Sequence, residues 1–226
     1  MDPTIIFEDK KIIVVRKPVG MLSQSDFTSR SNVLNWVKNY IKIKYSKPKN
    51  VYVGLVHRLD KEVGGIMVFA KNSKIASRLS ESIREHEFSK RYLLVIEDFS
   101  MENGGVLDDY LIKNSKTNKT IIGDKKDGKF SSLRYKLIKH NGRFSLIEAS
   151  LITGRSHQIR IQFASRGNPI IGDNKYGDNK STDGNTGLAL WAYKLSFPYP
   201  DLLKEKIEFI NYPPNINPWD KFSFPL

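Results

Sequence analysis

Two apolar runs, Val51 to Val56 and Ile66 to Ala70, flank a short charged segment, His57-Arg58-Leu59-Asp60-Lys61-Glu62-Val63-Gly64-Gly65. Apolar runs of this length, bounded by turn residues, read as buried strands. An acid between two buried strands must sit on the turn that connects them. Such turns, held by a rigid sheet, are where binding and catalytic groups concentrate. Arg58 stands two residues before the acid. Gly64-Gly65 permit a sharp turn or a close backbone approach.

The rest of the chain supplies a sheet for that turn. Thr4 to Phe7 and Lys11 to Arg16 read as a hairpin around Asp9-Lys10. Ile12-Ile13-Val14-Val15 runs into Lys17-Pro18-Val19-Gly20, which reads as an edge strand stopped by a proline and a turn glycine. Val33, Trp36, Val37, Tyr40 and Ile41 recur at helical spacing behind a cap at Ser31. Residues 75–84 read as a helix capped by Ser73, with Ala76, Leu79 and Ile83 on one face. Residues 91–97, 133–138 and 144–151 read as strands. The Lys- and Asn-rich stretch 113–129 reads as a mobile or hairpin-like insertion, and 172–187 as a long loop. Strands mixed irregularly with helices imply an α+β fold. No repeat or linker divides the chain, so residues 1–226 are expected to form a single domain.

Composition narrows the function. The chain has 226 residues and no cysteine, which excludes a disulfide framework and thiolate metal sites. Its four histidines are scattered without zinc-ligand spacing, so no metal is expected. No Walker loop and no Gly-x-Gly-x-x-Gly is present, so no nucleotide cofactor is expected. No apolar run reaches membrane-span length, and Met1-Asp2-Pro3 does not open a signal peptide. The expectation is a cytoplasmic protein without a membrane partner. A net charge of +13 points to a polyanionic partner.

The segment His57-Arg58-Leu59-Asp60 resembles the catalytic loop of the RluA-like family of RNA pseudouridine synthases. That family's pattern continues, after two residues, with Thr-Ser-Gly; here Val63-Gly64 replace Thr-Ser, and Gly65 matches. Three further segments follow in the family's order. They are the strand ending in Lys17-Pro18-Val19-Gly20, the strand Lys90-Arg91-Tyr92-Leu93-Leu94-Val95, and Gly154-Arg155-Ser156-His157-Gln158-Ile159-Arg160 with its turn Gly167-Asn168-Pro169-Ile170-Ile171-Gly172-Asp173. Asn168 replaces the usual His. The resemblance implies a large mixed, mostly antiparallel sheet flanked by helices, with an active-site cleft across it. It also implies isomerisation of uridines in ribosomal or transfer RNA without a cofactor. No segment resembles the small basic N-terminal RNA-binding domain of many relatives. Recognition is therefore expected from loops 21–32, 113–130 and 172–187, on a monomer.

The reaction breaks the N1–C1′ bond of uridine, turns the uracil and bonds C5 to C1′. By resemblance, Asp60 is the essential carboxylate, as nucleophile or as base. Arg160 pairs with it, and Tyr92 packs against the target uracil. Arg58 enters the RNA helix where the flipped uridine has left; the plainer alternative is a phosphate contact or a surface ion pair. Arg155 and Gln158 are candidates for RNA contact or loop positioning. His57 is carried as a binding candidate beside a structural alternative. Ser156-His157 reads as no nucleophilic pair, because neighbours on a helix point apart. Two rivals stand beside the synthase. One is an RNA-binding protein or chaperone that kept the scaffold, motivated by Val63-Gly64. The other is an N-glycosidase, for which a second carboxylate is wanted and only Glu62 stands near.

Overall fold

The computed structural model describes residues 2–25, 31–114, 116–177, 187–199 and 205–225. The chain divides into two compact units, Met1–Ser89 with Ala192–Asn211 and Lys90–Trp191 with Tyr212–Leu226.

The first unit opens with the hairpin of β1 (Thr4–Glu8) and β2 (Ile12–Lys17). Asp9 closes its turn by accepting the N–H groups of Lys11 and Ile12. Then come α1 (Val33–Lys44), β3 (Gly54–Leu55), β4 (Gly64–Ala70) and α2 (Ser73–Arg84). The unit's strand order is β1-β2-β4, with β3 also on β4; later in the chain β10 (Leu190–Pro198) pairs with β4, and β11 (Lys206–Ile210) with β10. Thus β2 is not the edge strand its proline suggested. It pairs with β1 and β4, and Pro18 lies just past its end. The run 51–56 gives only a two-residue strand. Gly54 lies so close under α2 that a Cβ there would meet the Ala76 Cβ at 2.8 Å.

Both helices are capped one residue away from the expected serines. Asn32 and Asn72 accept the N–H groups of Asn35 and Ile75. Both faces of β2 and β4 are buried, which explains their unbroken apolar runs. Ile12, Val14, Ile66, Val68 and Ala70 pack with Ile75 and Leu79 of α2 and with Phe88, Phe197 and Phe209. Phe197 stacks on Phe88 at 5.0 Å, so its truncation to Ala costs about 3–5 kcal/mol. Glu8, at the end of β1, receives Lys44, Lys71, Tyr40 and Tyr45. Burial opposes its charge, yet these four donors hold the carboxyl down at about 2.

The second unit is an antiparallel sheet ordered β5-β9-β8-β6-β7. These are β5 (Ser89–Glu97), β6 (Gly104–Asn114), β7 (Lys119–Gly123), β8 (Lys129–Asn141) and β9 (Phe144–Leu151). The insertion 113–129 is hairpin-like, as one of its two readings held: Asn114 turns the chain by accepting the N–H groups of Lys116 and Thr117. Helix α3 (Gln158–Ala164) packs on β6 and β7. Asn168 suits its place: its side chain accepts from Ser100 N and donates to the Arg166 carbonyl. The architecture is α+β. Among the described residues no helix is long and apolar enough to cross a membrane.

Candidate active site

Asp60 lies on the turn between β3 and β4, and the peptide groups on both sides of it are pinned. Ser23 brackets Leu59: its hydroxyl accepts the Leu59 N–H at 3.0 Å and donates to the Leu59 carbonyl at 2.7 Å. On the other side, the Lys61 carbonyl accepts from Gly20 N at 2.9 Å and from Lys17 Nζ at 3.0 Å. Lys17 Nζ also donates to the Pro18 carbonyl at 2.9 Å. The Asp60 carbonyl accepts the Val63 N–H. A half-buried carboxylate is thus presented by a backbone whose neighbours have little freedom to move.

Val63 and Gly64 stand where the family pattern has Thr-Ser, and neither side chain can hydrogen-bond the turn. Val63 is a buried core residue. The turn is held instead by Ser23 and by the Lys17-to-Gly20 segment. Gly65 has φ +124°, and a Cβ there would stand 2.2 Å from the Ala192 carbonyl oxygen. Close backbone approach, the second reason for a glycine pair, is what this position requires.

Lys17 is fully buried. Burial pushes its ammonium down to about 7, against the opposing pull of Glu62 and Asp60. His57 Nε2 accepts the Val68 N–H at 3.0 Å. A ring nitrogen that accepts carries no proton, so this His is the neutral Nδ1–H tautomer, oriented by β4 and tilted against Phe88. Arg58 is exposed on the turn. His57, Arg58, Asp60 and Lys17 therefore occupy one corner of the first unit.

The other candidates lie in the second unit. Tyr92 is a buried residue of β5, opposite Ala149 of β9. Burial pushes the neighbouring Lys90 ammonium down. Arg160 sits in the first turns of α3. Asp173 takes two of its five donors in a bidentate pair, Nε to Oδ2 at 2.8 Å and Nη2 to Oδ1 at 2.6 Å. Burial works to raise the Asp173 pKa, but Arg160 and the N–H groups of Lys175 and Tyr176 outweigh it, and the carboxyl lies below its ordinary range. The guanidinium carbon is 5.3 Å from the centre of the Tyr176 ring. Arg160 is a fixed, fully charged fork.

Gln158 is buried and committed to the loop before α3. Its Oε1 accepts from Thr153 Oγ1 and Arg155 N, and its Nε2 donates to the Ser132 carbonyl. Loop positioning is the work the geometry gives it. Arg155 is exposed, with Nε donating to the Phe130 carbonyl. Ser156 and His157 are not neighbours on a helix, so helical geometry is not what separates them. The helix begins at Gln158, and His157 precedes it in a left-handed conformation, φ 53°. Its Nδ1 lies 2.7 Å from Tyr176 Oη, which also accepts the Thr120 N–H. This links β7 to the turn that holds Arg160. Loop residues 26–30, 115 and 178–186, parts of the three expected recognition loops, lie outside the described residues.

Residues 11–165 match the family model described as RNA pseudouridylate synthase. The chain belongs to that family. It is 30% identical over 195 residues to "Ribosomal large subunit pseudouridine synthase D" of Borreliella burgdorferi, with 84% of this chain and 60% of that protein covered. It is 30% identical over 230 residues to "tRNA pseudouridine synthase C" of Haemophilus ducreyi, covering 91% of this chain and 89% of that one. The chain therefore spans three fifths of the length of the first relative and nearly all of the second. The solved structure "Human RNA Pseudouridylate Synthase Domain Containing 4" shares the fold with a TM-score of 0.77 at 21% identity, over 93% of this chain and 88% of that one.

Four residues that hold these candidates were not among the sequence candidates: Lys17 and Ser23 in the first unit, Asp173 and Tyr176 in the second. Lys17 and Asp173 stood inside quoted motifs, so their signal was present. Tyr176 stands three residues beyond Asp173, in the loop already singled out. Ser23 carries no local signal, because its partner Leu59 is 36 residues away.

Proposed function

We propose that the protein isomerises specific uridines of ribosomal or transfer RNA to pseudouridine, with Asp60 as the essential carboxylate. The observation that carries this reading is the pinned turn: an acid whose neighbours Leu59 and Lys61 are fixed by Ser23, Gly20 and Lys17 is pre-organised for chemistry. Asp60 serves as nucleophile or base while the N1–C1′ bond breaks and the C5–C1′ bond forms. Tyr92 packs against the uracil. Arg160, oriented by Asp173, is the guanidinium that this reading pairs with the essential carboxylate. Arg58, exposed on the Asp60 turn, fills the space left by the flipped base, which offsets part of an extrusion cost of a few kcal/mol. Arg155 contacts the RNA backbone, and His57 and Gln158 hold the two loops in place.

The net charge of +13 supports an RNA partner, and the names of the two relatives support ribosomal and transfer RNA as the substrate classes. The chain works as a single catalytic domain, in a cytoplasmic monomer.

The test is pseudouridine formation on transcripts of ribosomal and transfer RNA by the wild-type protein and by Asp60→Asn. The reading expects product with the wild type and at least a thousandfold less with the variant. Equal rates would refute the role of Asp60. RNA binding without product from either protein would favour the binding-protein alternative, and free uracil the glycosidase.

A further inference from the structure

The sheet of the second unit has two unlike faces. The strand register puts Tyr92, Ala149, Tyr135 and Gly105 in one row across β5, β9, β8 and β6. Leu107 and Leu111 share that side with Thr120, and α3 covers it: Gln162 and Arg166 reach Asp109, and Thr120 Oγ1 donates to the Ser156 carbonyl. This is the face that carries the proposed chemistry.

The opposite face of β7-β6-β8 is built differently. Tyr110 pairs with Gly123 on one side and Phe130 on the other, and Ile112 pairs with Ile121. Strand alternation puts Val106, Tyr110, Ile112, Ile121 and Phe130 on this one surface. It is open: Val106, Ile121 and Phe130 are exposed by 52%, 51% and 46%. Tyr110 and Phe130 meet edge to face at 5.7 Å, so the rings are oriented by each other and by the strands. Gly123, with no side chain, leaves room for Ile112 to lie over β7.

The rim is cationic. Lys119, Arg134 and Lys136 are exposed on the same face, and Arg155 is tied to the Phe130 carbonyl. The register also puts two acids on this face, Asp108 between Val106 and Tyr110, and Glu148 opposite Lys136, where it pairs with Arg91. Aromatic rings on adjacent strands inside a positive rim match what unpaired nucleotides need: ring faces for bases and cations for phosphates. A protein-docking patch would be expected to be poor in Lys.

We propose that this outer face of β6, β7 and β8 is a second RNA site, which stacks unpaired nucleotides that flank the target. It rests on the reading of RNA as the substrate. The site lies on the other side of the sheet from Tyr92, so it adds affinity and choice of substrate without entering the reaction.

The probe is a fluorescein-labelled, unstructured 12-nucleotide RNA of mixed sequence, titrated at low and moderate salt against the full chain. The wild type is expected to bind it. Phe130→Ser together with Tyr110→Ser should weaken binding about tenfold or more, since stacking contributes about 1–3 kcal/mol per base. Phe130→Tyr should bind as the wild type does. Matching circular dichroism and melting of the variants establishes that they fold. Equal affinity for the wild type and the double serine variant overturns the proposal and leaves the Asp60 reading standing. Binding lost in the double variant, but no pseudouridine from the wild type, sinks the enzymatic reading and leaves this site in place. No measurable affinity of the wild type for the probe overturns the site.

Discussion

Lys17 places a titratable amine wholly inside the support of the Asp60 turn, and Lys17→Met removes it at similar length. In the folded protein its pKa is about 7, against an ordinary value of 10.5. Below pH 7 the group is protonated whether the chain is folded or not, and folding bears the full cost of burying the charge. Between 7 and 10.5 the unfolded chain holds a proton that the folded chain lacks, so stability rises with pH. Each pH unit well above 7 is worth about 1.4 kcal/mol, and the group is half protonated at pH 7, so the wild type gains about 2 kcal/mol from it between pH 7 and 9. The variant has no such gain. Urea unfolding of both proteins at pH 7, 8 and 9 should therefore show their difference shifting by about 2 kcal/mol in favour of the wild type as pH rises. Other groups titrate in both proteins and cancel. A difference that stays constant over this range would refute the buried amine. The variant also leaves the Lys61 carbonyl with Gly20 N but without Lys17 Nζ. The turn loosens, and turnover should fall by about 10- to 100-fold with little change in RNA affinity.

Two further outcomes follow from single contacts. Gly65→Ala sets a Cβ against the Ala192 carbonyl at φ +124°, and should cost at least about 3 kcal/mol in urea unfolding or prevent folding; a stable, active variant would contradict the close strand approach. Asp173→Asn removes the anionic partner of a buried guanidinium, and should cost about 3–5 kcal/mol, with a loss of turnover that Asp173→Glu restores only in part because the longer acid cannot keep both bonds.

The chain's local signals and its long-range bonds divided the work unevenly. The Asp60 turn, the first hairpin, β4, β5 and β9 could be read from apolar runs and turn residues. The runs of β2, β4 and the middle of β5 are buried on both faces and need little context. Strand β6 was not legible: Gly104-Gly105 and Asp108-Asp109 are poor strand formers, and pairing with β7 and β8 holds the segment extended. Each helix start offered a Ser near an Asn, both good caps. At α1 the chain's choice of Asn32 follows from a distant contact, since the Val33 N–H is already taken by the Leu22 carbonyl. The edge assignment of β2 failed because a terminal proline marks where pairing stops, not which strands pair. Within the site, residue types named the chemistry, but the pinning of the turn by Ser23 and the anchoring of Arg160 by Asp173 depend on separations of 36 and 13 residues that no motif spacing encodes.

The central claim is met most directly by mapping pseudouridine in the ribosomal and transfer RNA of cells that lack this gene and are rescued with wild type or Asp60→Ala. The account predicts a site that disappears with the gene and returns only with the wild type. A site restored by Asp60→Ala, or a map that is the same with and without the gene, would contradict it.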